Sequence, residues 1–118
     1  MASGIFTKSI QSAFEFKEKA VRDLLLSSAN FWLEEMHIDG LRVDCVSSIL
    51  SSEYPREAQL FLKDLNAVVH STSKGAVTIA EDFTRSKTVT SPLWQKGLGF
   101  DMKWHVLLAS GLLKHIQK

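Results

Sequence analysis

Leu41-Arg-Val-Asp-Cys-Val46 alternates along its length, with Arg42 and Asp44 directed to one face and Leu41, Val43 and Cys45 to the other, as a strand requires. Asp39-Gly40 supplies the break before it. A second run, Ala76-Val-Thr-Ile-Ala-Glu81, places Val77, Ile79 and Glu81 on one face and Thr78 and Ala80 on the other. Between them Pro55 is placed to open a helix at its first turn. Arg56 to about His70 then carries an apolar stripe of Ala58, Phe61, Leu62, Leu65, Val68 and Val69. A strand, a helix and a strand in this order imply parallel strands joined by a right-handed crossover. Each strand closes at or near a carboxylate, Asp44 in the first and Glu81 in the second.

Working outward, Lys17 to about His37 repeats Val21, Leu24, Leu25, Phe31, Trp32 and Met36 at helical spacing, and this periodicity predicts a first helix. A last helix is predicted from about Lys103 to His115. Residues 1–16 show no period and read as a lead-in loop, leaving 17–118 as the folded unit. Ser47 to Tyr54 reads as a Ser-rich connection. Arg85 to Leu98 reads as a polar loop too long for a simple turn, which is often functional. The predicted class is therefore α/β, with about two parallel strands and their flanking helices. A complete (β/α)8 TIM barrel needs about 250 residues, so the expected architecture is part of such a barrel. Catalytic groups of these barrels sit at the C-terminal ends of strands, where Asp44 and Glu81 fall.

The 118 residues are 45% hydrophobic and 23% charged, the balance of a single globular domain with a core. A net charge of +1 with both signs interspersed gives no electrostatic footprint for nucleic acid or an anionic membrane. The expected partner is neutral. Cys45 is the one cysteine and cannot form an internal disulfide, which is compatible with a reducing compartment. Met1 to Lys8 lacks the apolar core of a signal peptide, and no run approaches the roughly 18 apolar residues of a membrane span, so a cytoplasmic location is expected.

Two carboxylates at the ends of neighbouring parallel strands suit retaining glycosidic chemistry. There one carboxylate attacks the anomeric carbon and a second, roughly 5–5.5 Å away, protonates the leaving oxygen. His37, His70, His105 and His115 fall on separate elements without metal-ligand spacing, so no metal is expected. Cys45 is read as a packed small residue facing away from Asp44, and Trp32 as core. Trp94 and Trp104 suit either packing or stacking against a pyranose.

Asp39-Gly-Leu-Arg-Val-Asp-Cys-Val-Ser-Ser48, preceded by Phe31-Trp-Leu-Glu-Glu-Met-His-Ile38, resembles the second signature region of the alpha-amylase superfamily, in particular its 1,4-alpha-glucan branching enzymes. Thr78-Ile-Ala-Glu-Asp82 resembles the third region. Phe61-Leu-Lys-Asp-Leu-Asn66 and Gly97-Leu-Gly-Phe-Asp-Met-Lys-Trp104 extend the likeness over roughly residues 14 to 105. By this resemblance Asp44 is the nucleophile, Glu81 the general acid/base and Arg42 the guanidinium that keeps the nucleophile ionised and oriented. The implied reaction cleaves an alpha-1,4 bond of an alpha-glucan and transfers the intermediate to a 6-hydroxyl, making an alpha-1,6 branch without an organic cofactor.

The chain also departs from the family pattern. The first region with its histidine and the fourth, His-Asp, do not occur in it, so the carboxylate that stabilises the transition state is missing. Branching enzymes carry a longer connection where this chain has Ser47 to Tyr54, and Glu-Ser where it has Asp82-Phe83. After Trp104 the family's pattern gives way to His105-Val-Leu-Leu-Ala-Ser110. These departures predict a chain that is incomplete and inactive alone. They leave open hydrolysis of alpha-glucan or of maltooligosyltrehalose, and a non-catalytic remnant. Two unpaired strand edges predict self-association.

Overall fold

The computed structural model describes residues 14–117; most of the predicted lead-in loop lies outside them. The element order is α1 (Lys19–Glu34), β1 (Gly40–Val43), α2 (Val46–Leu50), α3 (Pro55–Thr72), β2 (Val77–Glu81), a 3-10 turn (Leu93–Gln95), β3 (Met102–Trp104) and α4 (Val106–Ile116). The strands form one parallel sheet in the order β1-β2-β3. Pairing sets Gly40 against Val77 and Val43 against Ala80, then Ile79 against Met102 and Glu81 against Trp104. The α/β class and the parallel pairing of the first two strands follow the sequence reading.

Three features differ from it. The sheet has a third strand, drawn from residues assigned to the start of the last helix. The Ser-rich connection contains the short helix α2, which the strand end launches at Cys45. The long loop after β2, read as polar, packs into the core at Val89 and Leu98. Within it the Leu98 N–H donates to the Thr88 carbonyl at 2.9 Å and the Phe100 N–H to that of Val89 at 3.2 Å. Val89, Leu98 and Phe100 are buried as a result. The Asn66 amide on α3 donates to the Leu98 carbonyl at 2.7 Å and pins this loop to the helix layer.

Helix α3 is central. Pro55 sits where a missing N–H does no harm, and Glu57 in the first turn and His70 in the last complement the helix dipole. Its stripe buries Ala58, Phe61, Leu62, Leu65 and Val69 against Ala29 and Leu33 of α1 and Ala80 of β2. Thr78 and Ala80 are fully buried on the helix side of β2, so Val77, Ile79 and Glu81 share the other side. Gly40 is required by the sheet, since a Cβ there would lie 2.5 Å from the Val77 carbonyl oxygen. Gly97 is required by the loop, where a Cβ would lie 1.9 Å from that of Ser91.

The face of α1 is only partly the one expected: Val21 and Leu25 of the predicted stripe are partly buried. Trp32 is 45% exposed rather than core, and Leu24, Phe31 and Met36 are exposed with it, because Leu25, Ala29 and Leu33 supply the buried side. Small Ala29 allows α3 to approach. On α4, Leu108, Leu112, Leu113 and Ile116 are all exposed. No helix among the described residues is long and apolar enough to cross a membrane.

Two aspartates tie the loop and β3 to the sheet. Asp101 accepts from the Thr78 N–H at 2.7 Å and lies 2.7 Å from His70 Nε2. Asp82, fully buried, pairs with Lys103 at 2.8 Å and accepts from the Thr84 hydroxyl at 2.6 Å. Burial pushes both carboxyls up, but these donors outweigh it and hold both below the ordinary value of 3.8. A depressed carboxylate stabilises the fold above its unfolded pKa and ceases to as pH falls through the folded one. Thermal melts should therefore hold steady down to about pH 4 and weaken below it, with Asp101→Asn showing a shallower acid loss.

Candidate active site

The three strands end at the same side of the sheet, and their ends bring the candidate residues together. Arg42 is on β1, Asp44 follows it, Glu81 ends β2 and Trp104 ends β3. Because Arg42 pairs with Ile79, the side chain two residues further along β2, Glu81, lies ahead of it on the same face. One nitrogen, Arg42 Nη2, lies 3.5 Å from Asp44 Oδ1 and 3.5 Å from Glu81 Oε1. The guanidinium therefore bridges the two carboxylates and offsets the repulsion that two anions at this spacing would feel. It also lies over the Trp104 ring, 5.6 Å from the centroid, at a distance where the ring's negative face attracts a cation.

The two carboxylates differ in surroundings. Glu81 is the more enclosed, 18% exposed against 65% for Asp44. Its Oε2 accepts from the Cys45 backbone N–H at 3.1 Å, and the Cys45 thiol lies 3.9 Å from the same oxygen. The thiol is therefore not on the far side of the strand. β1 ends at Val43, and Cys45 adopts a left-handed backbone with φ 52°, which turns it toward β2. Burial and the neighbouring Glu81 and Asp44 charges push the thiol's pKa up, so the neutral form is favoured.

Trp104 is 59% exposed although Arg42 lies over its ring. Trp94 is not brought to this group. It is 80% exposed on the 3-10 turn and lines a separate surface hollow of about 470 Å³ with His70, Pro92 and Asp101. A cavity of about 260 Å³ reaches Arg42, Asp44 and Cys45, but its walls are Phe14, Phe16, Leu25, Phe61 and Leu65. Such walls suit an apolar side chain rather than a sugar's ring of hydroxyls. Among the described residues no group of three or more His, Cys, Asp or Glu side chains could hold a metal ion.

Sequence reasoning missed the Cys45 N–H contact, the Trp104–Arg42 stack and the Lys103–Asp82 pair. The first depends on one backbone angle that no periodicity reveals. The other two depend on β3, whose three residues are too few for alternation to show.

The family profile described as alpha amylase, catalytic domain, matches residues 5–110. The 1,4-alpha-glucan branching enzyme GlgB of Corynebacterium diphtheriae is 44% identical over 109 residues, covering 79% of this chain and 15% of that protein. The enzyme of the same name from Methylococcus capsulatus is 41% identical over 89% of the chain, and that of Cellvibrio japonicus 43% over 79%. The chain spans about a sixth of the length of these relatives. A parallel sheet with both carboxylates at its strand ends is the arrangement the profile match leads one to expect, and the chain belongs to the alpha-amylase catalytic-domain family.

Proposed function

We propose that this chain carries the nucleophile and acid/base portion of an alpha-glucan branching site, in the cytoplasm, working by retaining double displacement. The observation that carries this reading is the single Arg42 nitrogen in contact with both Asp44 and Glu81 at the ends of adjacent parallel strands. Three similar proteins named as branching enzymes support it.

In the first step an Asp44 oxygen bonds to the anomeric carbon of an alpha-1,4-linked glucosyl unit while the bond to the leaving O4 breaks. Glu81, protonated, delivers its proton to that oxygen. In the second, Glu81 as carboxylate takes the proton from a 6-hydroxyl of another glucan chain, whose oxygen replaces Asp44 at the anomeric carbon. Arg42 orients Asp44 for attack, and exposed Trp104 offers a flat apolar surface to a pyranose. The bare indole of Trp94 offers a second such surface away from the carboxylates.

Among the described residues Arg42 pairs with these two carboxylates and no third, so the isolated chain is expected to make no branches. The reading is tested by transplanting residues 14–104 into a relative that supplies the remainder of the barrel, then scoring new alpha-1,6 linkages and reducing ends. Branches without excess reducing ends support it. Reducing ends alone would point to hydrolysis, and no product to a non-catalytic remnant.

The isolated chain should associate with itself. β1 and β3 are sheet edges, and α1 and α4 expose Leu24, Phe31, Leu108, Leu112 and Ile116. Light scattering should give a mass that rises with concentration, and Leu108→Lys with Leu112→Glu should lower it; a constant monomeric mass would refute this.

A further inference from the structure

We infer that Cys45 is a positioning residue for Glu81, acting through its backbone N–H rather than its thiol; this rests on the acid/base role proposed for Glu81. The two oxygens of Glu81 have different partners. Among the described residues Oε1 has only the 3.5 Å contact with Arg42, whereas Oε2 accepts the Cys45 N–H at 3.1 Å and faces the thiol at 3.9 Å. An N–H 3.1 Å from an oxygen is an ordinary hydrogen bond, and one to a carboxylate is among the stronger kind. An S–H at 3.9 Å is a weak donor. The N–H therefore fixes Oε2 and leaves Oε1 as the oxygen that carries the proton to and from substrate.

The backbone conformation supports this division. Cys45 is one of three non-glycine residues with positive φ among the described residues, at φ 52° and ψ 48°. That region is unfavourable for a side chain bearing a Cβ and persists where surrounding contacts hold it. Three hydrogen bonds hold it here. The Cys45 carbonyl accepts the Ser48 and Ile49 N–H groups at 3.0 and 3.1 Å and starts α2, while its N–H is turned across the strand end to Glu81. Fully buried Val46, the next residue, anchors the turn in the core. The strand end, the left-handed residue and the short helix together form a device that aims one N–H at one carboxylate oxygen.

The test uses the full chain, labelled with 15N throughout and with 13C at glutamate carboxyls. In the unsubstituted protein the Cys45 amide resonance should move with pH at the midpoint of Glu81, and Glu81→Gln should abolish that movement. Cys45→Gly keeps the N–H and tolerates positive φ while deleting the thiol, so the Glu81 midpoint should stay within about 0.3 unit. Cys45→Val disfavours positive φ and should raise the midpoint by about one unit, because a donor to the charged form is lost. A purely structural role would lower stability without moving the midpoint. An amide that does not follow Glu81, or a rise in Cys45→Gly equal to that in Cys45→Val, overturns the proposal. Should Cys45→Val fail to fold, the amide titration and Cys45→Gly decide it. These readings need no turnover, so a failed transplant would overturn the branching role without touching the hydrogen bond.

Discussion

Asp44→Asn should reduce branching by roughly 10⁴-fold or more when residues 14–104 stand in place of the matching segment of the Corynebacterium diphtheriae enzyme. Asparagine keeps the size of aspartate and can still receive a hydrogen bond from Arg42, so the fold and the strand ends should persist. What it lacks is the anionic oxygen proposed to bond to the anomeric carbon, and apart from Glu81, the proposed acid/base, no carboxylate among the described residues pairs with Arg42 to replace it. Glu81→Gln should be comparably inactive on glucan but should recover its first step on an alpha-glucosyl fluoride, whose leaving group departs without a proton. Asp44→Asn should recover nothing with the fluoride. Equal loss for both variants on both donors would contradict the assigned roles, and retained branching in Asp44→Asn would remove Asp44 from the chemistry.

Such a transplant also separates the pair of carboxylates from the rest of the machinery. Arg42 touches Asp44 and Glu81 within this chain, so the geometry that poises the two acids is local to β1 and β2. The chain spans about a sixth of its relatives' length, and the groups that the resemblance finds missing come from the remainder in the transplant.

Asp44 and Glu81 were legible because each ends a run whose alternation survives without tertiary context, and because Gly40 marks where the first begins. The α3 stripe was legible for a similar reason: every position of it except Val68 is buried. β3 was hidden because three residues between a loop and a helix carry no period, and because its pairing to Ile79 is a long-range event. The misplaced residues of the α1 stripe have the same origin. Large residues such as Phe31 and Trp32 dominate a periodicity reading, whereas close approach to α3 selects Ala29 and Leu33. Cys45 was placed by extending the strand's alternation two residues past Val43, beyond where the strand ends.

Lys103→Met should lower the unfolding free energy by about 3–5 kcal/mol at neutral pH, since it removes the cation from a buried ion pair. Asp82 is 1% exposed, and its Oδ2 accepts from Lys103 at 2.8 Å and Thr84 at 2.6 Å. The same lysine caps the Thr84 carbonyl and donates to that of Ser86 at 3.2 Å, so β3, the end of β2 and the loop after it meet at one ammonium. Without it the carboxylate keeps only Thr84, through its hydroxyl and its backbone N–H, and among the described residues its Oδ1 already lacks a partner. Burial then dominates and raises the Asp82 pKa above its ordinary value. The sign of the pH dependence at this residue consequently reverses: the penalty is largest at neutral pH and shrinks as acid protonates the buried carboxyl. Asp82→Asn combined with Lys103→Met should recover much of the loss, because no unpaired charge remains inside. Urea unfolding at pH 7 and pH 4 measures all of this, and a Lys103→Met loss that is small, or equal at the two pH values, would show that Asp82 is not held by this pair.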